Sequence, residues 1–358
     1  MKYYGLILAG GRGTRFWPRS RKRHAKQVLQ VTGDRTLIQA TIDRLGPLIP
    51  PERIWILTND FVRDEIVRQL PEVPAAQIIS EPAQRNTGPA VALAAHILHS
   101  IDPDAVFGVF PSDAVIGMPE RFLEAARIVF RAAEQGSIGV LGIQPRWPDT
   151  AFGYIEFPEG TAAGGTEVAE VRKFREKPHA DLAQKFFDAG NYFWNAGMFF
   201  WKASTLLEAM LAYQPKTAGL IGTLPAFHDA GFAAKLAEVF PLCDDISVDY
   251  AVIEHAKNVV GLPCAEFGWN DVGSWDAVYE LLPHDSEGNA NGAGSEILSL
   301  NASGNYVDCG KKLIALVDVR DLIIVDTPDA LLIADRRSAQ KIGDVVKALE
   351  AKKRDDLL

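Results

Sequence analysis

The sequence predicts an α/β protein with a doubly wound, mostly parallel sheet, followed by a small C-terminal β appendage and a closing helix. Three observations predict this architecture. Short apolar runs alternate with longer stretches of helical spacing, a glycine-rich turn follows the first apolar run, and short strand-like runs return near the C-terminus. Because strand and helix alternate in this rhythm, neighbouring strands are expected to run parallel, with a helix crossing between them.

Composition limits the class of protein. The chain has 358 residues, 47% of them hydrophobic, and can bury a large core. Its net charge of -9 argues against a protein that coats nucleic acid or a membrane surface. The sequence shows neither a membrane-spanning apolar run nor the order of a signal peptide, so we expect a cytoplasmic protein. Cys243, Cys264 and Cys309 are too scattered for a disulfide framework or a zinc cluster, and we expect them to pack as small apolar residues.

The alternating pattern occupies about residues 1–150. Strands are predicted at Tyr4–Leu8, Arg53–Leu57, Gln77–Ile79, Ala105–Phe110 and Ser137–Gly142. Helices are predicted at Thr36–Leu45, Phe61–Leu70, Gly88–Ser100 and Glu120–Glu134. Ligands of such a sheet bind beyond the carboxyl ends of the strands. Polar residues that directly follow these strands are therefore the first candidates for a functional site.

The remaining chain is less regular. Between about residues 151 and 282, Gly153–Phe157 and Val168–Phe174 are predicted strands, and several helices are expected after Ala180. Residues 283–295 are rich in turn-forming residues and are predicted to be a linker. The appendage, residues 296–358, is predicted to hold strands Glu296–Leu300, Lys312–Val317, Leu322–Val325 and Ala330–Ile333, then a helix over about Ser338–Lys352. The expected domains are thus 1–282, in two halves, and 296–358.

A turn with Gly10, Gly11 and Gly13 follows the first strand. It lacks the third glycine of the dinucleotide fingerprint and the Lys-Ser/Thr ending of a P-loop. Exposed backbone amides, with Arg15 and Lys26 after them, suit a polyphosphate, because charge-assisted hydrogen bonds hold and neutralise phosphate oxygens. A tight turn with a solvated basic face is the structural alternative. Nucleic-acid binding is disfavoured, since the rest of the chain supplies no basic stripe.

Three carboxylates are further candidates, and two of them, Glu81 and Asp113, follow predicted strands. Glu81 is a candidate reader of guanine, whose ring NH and amine are adjacent donors, whereas thymine would suit an amide better. Asp113 and Asp271 are candidate ligands of a magnesium ion that bridges phosphates. Either aspartate alone would serve equally well in a turn or a helix cap. Spacing along the chain does not prove that they meet.

Together these segments resemble the sugar-1-phosphate nucleotidylyltransferases. The resemblance rests on LAGGRGTR at residues 8–15, followed by Pro18 and Lys26, and on downstream motifs similar to the mannose-1-phosphate guanylyltransferase (GDP-mannose pyrophosphorylase) branch. It extends from residue 1 through the closing helix. It implies a Rossmann-like, GT-A-like fold and transfer of GMP from GTP to α-D-mannose 1-phosphate, giving GDP-mannose and pyrophosphate. The implied partners are these two substrates, without nucleic acid or membrane.

The resemblance also implies roles for individual residues. Arg15 and Lys26 are the implied catalytic cations. The implied nucleotide-binding residues are Leu8, Ala9, Gly10, Gly11, Gly13, Thr14, Glu81, Arg85, Asn86 and Thr87. The implied sugar-phosphate-binding residues are Gly153, Glu176, Lys177, Asn195 and Asp249. Asp113 and Asp271 are the implied Mg2+ ligands.

Structural alternatives remain open for several of these residues. Asn86 or Thr87 can simply cap the helix that follows. The charged segment around Glu176 and Lys177 resembles an ordinary solvated strand end, and Asp249 can merely favour the positive end of a helix.

Two positions depart from the pattern of the branch. Ala25 stands where the family usually has proline, and Ala114 where the branch commonly has histidine. Two rival functions remain: the same reaction with glucose 1-phosphate or another nucleoside triphosphate, and a non-catalytic regulatory subunit that binds nucleotide sugars. The chain is too short to include the isomerase domain that some members carry, so we expect a single activity. Strand edges in the appendage can pair between copies, and a homodimer formed there is a further expectation.

Overall fold

The strands follow the apolar runs of the sequence. The structure, a computed structural model, describes residues 2–292 and 294–358. The strands are β1 (Tyr3–Leu8), β2 (Ile54–Thr58), β3 (Ile78–Ser80), β4 (Val106–Pro111), β5 (Val115–Ile116), β6 (Ile138–Ile143), β7 (Tyr154–Glu156), β8 (Ala169–Glu170), β9 (Lys173–Arg175), β10 (Tyr192–Lys202), β11 (Val259–Pro263), β12 (Trp269–Asn270), β13 (Ala290–Asn291), β14 (Glu296–Leu300), β15 (Tyr306–Asp308), β16 (Leu313–Val317), β17 (Leu322–Asp326) and β18 (Leu331–Asp335).

Helices separate most of the early strands. The α-helices are α1 (Leu37–Leu45), α2 (Arg63–Gln69), α3 (Thr87–Ile101), α4 (Pro119–Glu134), α5 (Ala180–Ala189), α6 (Ala203–Tyr213), α7 (Pro215–Ile221), α8 (Phe232–Val239), α9 (Trp275–Leu281) and α10 (Ile342–Ala351). A short π-helical segment spans Asp249–Ile253. Thr36 caps α1, and with Gln39 it forms the reciprocal pair of side-chain bonds known as a capping box.

The main sheet has the strand order β3-β2-β1-β4-β10-β6-β11-β8. Strands β3, β2, β1 and β4 run parallel, β10 is antiparallel to both of its neighbours β4 and β6, and β11 returns parallel to β6. Apolar residues of α1, α2 and α4 form a core on one face, and those of α3, α6 and α8 form a core on the other. The prediction of a doubly wound, mostly parallel sheet is confirmed. The carboxyl ends of β1, β2, β3 and β4 share one edge of this sheet.

Two predicted elements differ in detail. Val168–Phe174 is not one strand: β8 pairs with β11, whereas β9 pairs with β7, so the chain changes partner between them. Residues 283–295, predicted to be a linker, contain β13, which pairs in parallel with β15. Asn289 in this segment is 2% exposed, and its side-chain oxygen accepts hydrogen bonds from the backbone and side-chain nitrogens of Asn305. These residues therefore begin the C-terminal sheet.

In the appendage, successive short strands wind between two small, mostly parallel sheets. Strands β13, β15 and β17 lie in one sheet, with β18 antiparallel at its edge, while β14 and β16 form a second sheet. Because strands of the two sheets alternate along the chain, the chain winds from one sheet to the other. Val307, Leu316 and Ile324 fill the space between them. The predicted small β appendage with a closing helix is present, and all three cysteines are buried and free.

The appendage packs against the beginning of the chain. Phe16 and Trp17 share an apolar cluster with Trp275, Tyr306 and Ile342. The Trp17 indole donates to the Leu357 carbonyl at 3.0 Å, and the Trp275 indole donates to the Trp17 carbonyl at 3.2 Å. The turn after β1 is thus fixed partly by the C-terminal end of the chain. In the described parts of the chain, no helix has the length and apolar character needed to cross a bilayer.

Candidate active site

The basic loop, Gly10–Lys26, leaves the carboxyl end of β1 and folds back on itself. Gly13 has φ 60°, and a Cβ there would collide with the Cβ of Lys26 and lie 3.1 Å from its backbone nitrogen. A larger residue would be strained in this conformation and would push Lys26 away. The Ser20 hydroxyl donates to the Gly13 carbonyl at 2.7 Å and closes the loop. Glycine at position 13 is therefore what allows Lys26 to approach the turn.

Lys26 joins three distant segments. Its ammonium donates to Asp113 Oδ2 at 2.9 Å and to the Asp271 carbonyl oxygen at 2.9 Å. The Lys26 side chain is only 6% exposed, and its ammonium lies 5.3 Å from the centroid of the Phe16 ring. A buried ammonium held by a carboxylate and a carbonyl is a fixed positive charge. It stands where β1, β4 and β12 end.

Asp113 and Asp271 are brought together by a short antiparallel ladder. Strand β5, which begins two residues after Asp113, pairs with β12, which ends directly before Asp271. Burial raises the pKa of Asp271, and the nearby charges of Lys26 and Arg15 oppose that rise while Asp113 adds to it. Among the described residues, no group of three or more His, Cys, Asp or Glu side chains could hold a metal ion alone. Two carboxylates leave most positions of a hard cation to oxygens of a bound ligand.

A cavity of about 470 Å³ opens beside these groups. Its lining is Leu8, Gly10, Gly11, Gly13, Gln27, Leu57, Glu81, Gln84, Arg85, Asn86, Thr87, Ala90, Ser112, Asp113 and Asp245. Ala9 lies beneath it, and its carbonyl accepts from the Gln27 amide at 2.6 Å and from the Thr58 hydroxyl at 2.9 Å. Gln27 and Thr58 were not predicted as site residues, because they stand in no recognisable motif. Each supports the loop by its hydrogen bond to the Ala9 carbonyl.

Glu81 is the carboxylate that follows β3 in the lining of this cavity. Its backbone nitrogen donates to the Thr58 carbonyl at 2.8 Å, which continues the ladder beyond β3. A Cβ on Gly10 would lie 3.0 Å from Glu81 Oε2, so the carboxyl group rests on the bare backbone of the first glycine. Burial raises the pKa of Glu81 to about 8. A carboxyl group so poorly solvated gains from a ligand that supplies hydrogen-bond donors.

The residues after Glu81 have several tasks. Asn86, at φ 63°, caps α3 by accepting from the Thr87 nitrogen at 2.9 Å. The Thr87 hydroxyl accepts from the Val248 nitrogen at 2.9 Å, which ties this helix end to the second half of the domain. The Arg85 guanidinium donates to the Pro241 carbonyl. Arg85, Asn86 and Thr87 all line the cavity. Asn86 in addition caps α3, as the structural alternative expected.

Thr14 and Arg15 face the appendage and do not line this cavity. Arg15 Nη1 donates to Gln340 Oε1 at 2.5 Å. A Cβ on Gly343 in α10 would lie 3.4 Å from the Thr14 hydroxyl oxygen and 3.8 Å from Arg15 Cγ, so this helix packs closely on the turn. The Arg15 guanidinium nevertheless remains close to the metal-site candidate, since a Cβ on Gly273 would lie 3.6 Å from Arg15 Nη1 and 2.8 Å from Asp271 Oδ2.

Most other cations of the basic loop form ion pairs with the appendage. The pairs are Arg12–Glu350 at 2.8 Å, Arg21–Asp329 at 3.0 Å, Lys22–Asp355 at 2.9 Å and Arg19–Asp308. The sequence predicts either a bound phosphate or a solvated face for this charge. The structure adds a third use, attachment of the C-terminal unit.

The Asn195 cluster, defined as Gly153, Glu176, Lys177, Asn195 and Asp249, brings together all five residues predicted for a sugar phosphate. Asn195 Nδ2 donates to Asp249 Oδ1 at 3.1 Å, and Lys177 forms an ion pair with Glu176. A Cβ on Gly153 would collide with the Glu176 carboxylate. Glycine at position 153 thus makes room for that carboxylate.

The backbone of β10 presents Asn195 to this cluster. The Asn195 nitrogen donates to the Gly153 carbonyl at 2.8 Å, and the pairing of β10 with β6 shifts register between Asn195 and Phe199. Asp249 is the first residue of the π-helical segment. Burial raises the pKa of Asp249 to about 6, and the charge of Glu176 adds to that rise. Glu254, missed in the sequence, accepts from the Glu176 nitrogen at 3.4 Å.

Comparison with known proteins identifies the family of the chain. The sequence profile of the nucleotidyl transferase family matches residues 4–288. The chain belongs to this family. A second profile, the mannose-phosphate isomerase/GMP-like β-helix domain, matches residues 295–349. These two matches fit the sheet domain and the coiled appendage described above.

The names of similar proteins identify the branch of the family. A mannose-1-phosphate guanylyltransferase of Escherichia coli K12 is 37% identical over 98% of this chain and 74% of its own length. The mannose-1-phosphate guanylyltransferase ManC of Salmonella typhimurium is 36% identical over 98% of this chain and 74% of its own length. A crystal structure described as a mannose-1-phosphate geranyltransferase from Thermus thermophilus is 30% identical, with a TM-score of 0.87 over 98% of this chain and 100% of that one. The resemblance found in the sequence is confirmed, and this nucleotidyltransferase is a member of the mannose-1-phosphate guanylyltransferase branch.

Proposed function

We propose that this nucleotidyltransferase transfers GMP from GTP to α-D-mannose 1-phosphate, releasing pyrophosphate and GDP-mannose. One observation carries the proposal: Glu81 and Asp113 line the same cavity, and Asp113 accepts from the Lys26 ammonium, which also donates to the Asp271 carbonyl. A base reader, a glycine turn and a fixed cation therefore surround one space. The Asn195 cluster, from the second half of the domain, supplies the groups for a sugar phosphate.

Glu81 supports guanine as the base. The ring NH and exocyclic amine of guanine can both donate to one carboxylate, and adenine and the pyrimidines lack this adjacent pair of donors. Burial raises the pKa of Glu81 to about 8, so the carboxyl group of the free protein is mostly protonated at neutral pH, and donors that approach it favour its charged form. Backbone amides of Gly10, Gly11 and Gly13 are placed to meet the phosphates.

Transfer at phosphorus needs positioning and charge stabilisation rather than a protein nucleophile. A phosphate oxygen of mannose 1-phosphate attacks the α-phosphorus of GTP, the bond to the β-phosphate oxygen breaks, and pyrophosphate leaves with that electron pair. Lys26 and Arg15 stabilise negative charge that grows in the transition state and on pyrophosphate. Lys26 gives up part of its contact with Asp113 as phosphate oxygens arrive.

Nucleotidyltransferases of this family use a divalent metal ion, and we propose Mg2+ here. The donor set fits, because Mg2+ is commonly bound through one or two carboxylates together with substrate phosphates. Asp113, with its side chain 37% exposed, and Asp271 would hold the ion. When bound, the ion neutralises phosphate charge and polarises the P–O bonds. The raised pKa of Asp271 in the free protein agrees with a carboxylate whose counter-charge is supplied by a ligand.

The Asn195 cluster supports a hexose 1-phosphate as acceptor. Asn195, Asp249 and Glu176 offer donors and acceptors for sugar hydroxyls, and Lys177 offers a cation for the phosphate. Burial alone would lower the pKa of Lys177, but the hydrogen bond and charge of Glu176 raise it above its usual value, so the ammonium stays charged. Selectivity for mannose over glucose and for GTP over other triphosphates is part of the proposal.

Pyrophosphate release with a panel of substrates tests the proposal. The panel pairs GTP, ATP, UTP and dTTP with mannose 1-phosphate and with glucose 1-phosphate, in Mg2+. We expect GTP with mannose 1-phosphate to be the fastest pair. A faster pair with another base or sugar would contradict the assignment, and release from no pair would favour the regulatory-subunit alternative.

We also propose that two copies associate through the appendage. Leu298, Leu300, Leu313 and Val317 are each more than half exposed on the sheet formed by β14 and β16. The register pairs Leu300 with Val317, so their side chains share one face. Light scattering should give the mass of a dimer for this chain and of a monomer for Leu300→Glu. A monomeric wild-type protein would contradict this proposal. The cytoplasmic location expected from the sequence stays a prediction.

A further inference from the structure

A second cavity lies behind the metal-site candidate, outside the nucleotide cavity. Its volume is about 690 Å³, and it separates α1 from β5 and the start of α4. Its lining is Thr32, Arg35, Leu37, Ala40, Asp43, Arg44, Pro47, Ala114, Val115, Ile116, Pro119, Glu120, Leu123, Glu124 and Arg127. Much of the wall is apolar. The proposed transfer reaction uses no residue that lines it.

Arg44 is the unusual feature of this wall. It is 8% exposed, and no carboxylate of the described residues forms an ion pair with it. Its Nη1 donates to the Ala114 carbonyl at 3.3 Å and its Nη2 to the Thr41 hydroxyl at 3.0 Å, while Nε is buried without a partner. Burial lowers the pKa of Arg44 to about 10, which still leaves the guanidinium charged at neutral pH. A buried charge without a counter-ion is costly unless something pairs with it.

We propose that this cavity is an effector site for a small organic ligand with one anionic group, in which the guanidinium of Arg44 binds a single carboxylate or phosphate monoester group and the apolar wall holds the rest of the ligand. Guanidinium suits either group, because its donors match a pair of anionic oxygens. Leu37, Ala40, Ile116 and Leu123 supply apolar surface for the body of the ligand.

The charges at the entrance limit the ligand to one anionic group. The lining carries three carboxylates, of Asp43, Glu120 and Glu124, and three arginines, Arg35, Arg44 and Arg127, so it has no net positive charge. Glu120 and Glu124 are not buried, and Arg35 is already paired with Asp43 at 2.7 Å. A di- or triphosphate would place its outer charges against these carboxylates and be repelled. GTP and nucleotide sugars are therefore unsuitable ligands for this cavity.

The cavity contacts the catalytic region through the backbone. The carbonyl that Arg44 holds belongs to Ala114, the residue directly after Asp113. Val115 and Ile116 line the cavity and pair with β12, directly before Asp271. We therefore expect a shift of Arg44 toward an anion to displace the β5–β12 ladder, whose two strands adjoin Asp113 and Asp271. Occupation of the site should change turnover.

Fluorine NMR of the full chain tests the site without relying on activity. The probes are 4-fluorophenylacetate, a carboxylate, and 4-fluorophenyl phosphate, a phosphate monoester, each added with saturating GTP so that neither reports the nucleotide cavity. We expect line broadening of at least one probe. Which probe binds more tightly distinguishes the two anionic groups. Broadening of neither probe would overturn the proposal.

Two variants locate the binding. Arg44→Met removes the charge and keeps most of the volume, and we expect affinity to fall about tenfold or more, as for loss of a charged hydrogen-bond donor. Ala40→Trp fills the cavity from the helical turn before Arg44 and keeps the guanidinium, so it remains informative where Arg44→Met fails to fold. Arg121→Gln, on α4 but outside the cavity, is the matched control and should bind like wild type. Unchanged binding in both Arg44→Met and Ala40→Trp would place the probe elsewhere and overturn the site.

The effector role has its own readout and rests on the proposed function. The rate of pyrophosphate release, measured at saturating substrates, should change by at least about twofold when the tighter probe saturates wild type, and should not respond in Ala40→Trp. A bound probe that leaves the rate unchanged would overturn the effector role. Absence of activity in the untreated wild-type protein would instead count against the proposed function, whereas the binding test would stand.

Discussion

The basic loop and the Asn195 cluster carry comparable numbers of candidate ligand-binding groups, yet they are held in different ways. Lys26 and Arg15 in the loop are fixed by Asp271 and Gln340, which lie 245 and 325 residues further along the chain. Asn195 in the cluster is bonded to Gly153 and Asp249 of the same half-domain. The loop is thus supported by the appendage and by the far end of the domain, while the cluster is supported locally.

This difference separates two kinds of perturbation. A change in the appendage should reach the basic loop and leave the Asn195 cluster unaffected, because the hydrogen bonds described above hold the two regions through different segments. The bond from the Val248 nitrogen to the Thr87 hydroxyl instead links the nucleotide cavity to the residue directly before Asp249. Substitutions in the loop should therefore alter turnover, and substitutions in the cluster should alter the use of mannose 1-phosphate.

The largest effect is expected from Lys26→Ala. Loss of this fixed charge should lower kcat by about 100- to 1000-fold, as for other groups that stabilise transition-state charge. KM for GTP should change much less, because the charge matters most when the bond to pyrophosphate breaks. Steady-state kinetics measures both, with Lys22→Ala as a loop lysine whose ion pair with Asp355 is exposed. Equal losses in kcat and in GTP binding would contradict the transition-state role.

Asn195→Ala tests the other side of the comparison. Removal of the amide should raise KM for mannose 1-phosphate by about tenfold and leave KM for GTP unchanged, since a buried hydrogen-bonding partner is lost. Asn191→Ala is the matched control: its amide bonds the Phe157 carbonyl at 2.7 Å beside β10 but does not touch the cluster. An equal rise in both KM values for Asn195→Ala would show that the two regions are not separable.

Because of Glu81, we expect KM for GTP to depend on pH and KM for mannose 1-phosphate not to share this dependence. Guanine needs the ionised carboxylate, so KM for GTP should fall as pH rises toward the pKa of about 8, by up to about tenfold per pH unit. The stability of the free protein should change in the opposite direction: it should fall with rising pH, whereas GTP binding should strengthen. The folded state keeps its proton above the usual pKa of 4.5, so the free energy of unfolding should decrease as pH rises from 4.5 to 8.

Glu81→Gln should remove both pH trends, and Glu72→Gln, on the surface, should keep them. Substrate kinetics in matched buffers and chemical denaturation at several pH values measure the two trends. A GTP dependence on pH that survives Glu81→Gln would remove Glu81 from base recognition.

Gln340→Leu asks whether the appendage orients Arg15. Loss of the bond to Arg15 Nη1 should lower kcat by about fivefold, less than for a buried contact because both side chains are exposed. In an Arg15→Gln background the same substitution should have no further effect, since its target is absent. Gln340→Glu keeps an acceptor and should preserve most of the activity. Additive losses in the double variant would assign Gln340 a purely structural role.

The smallest effect is expected from the surface ion pairs. Glu350→Gln breaks the pair with Arg12, in which both side chains are 38% exposed, and should lower the free energy of unfolding by less than about 1 kcal/mol. Thermal denaturation at low and high salt measures this change. A shift of several kcal/mol would mean that the ion pairs, rather than the apolar cluster around Trp17 and Trp275, hold the appendage.

Sequence patterns predicted the fold class because strands β1 to β4 and helices α1 to α4 have clear apolar periodicity. The pattern did not reveal β10 as an antiparallel strand in the middle of the sheet, since its residues are almost all apolar or aromatic and show no alternation. The linker prediction for residues 283–295 overlooked β13, which is only two residues long and depends on its pairing with β15.

Part of the candidate site could also be predicted from local sequence patterns. Motifs identified Lys26, Glu81 and the Asn195 cluster, because each stands in a short segment of distinctive composition. No motif pointed to Gln340 or Arg44, because their importance comes from contacts between segments far apart in the chain. Thr14 and Arg15 stand in the most distinctive motif of all, yet they face the appendage, which only the folded chain could show.

The central claim is that distant segments surround one triphosphate together with a divalent ion. A crystal of the full chain with GTP and Mn2+ in place of Mg2+ tests it most directly, through the anomalous signal of manganese. The account predicts a single strong peak between the carboxylates of Asp113 and Asp271, next to phosphate oxygens that also contact Lys26. A manganese peak remote from both aspartates, or a triphosphate that makes no contact with Lys26, would contradict it.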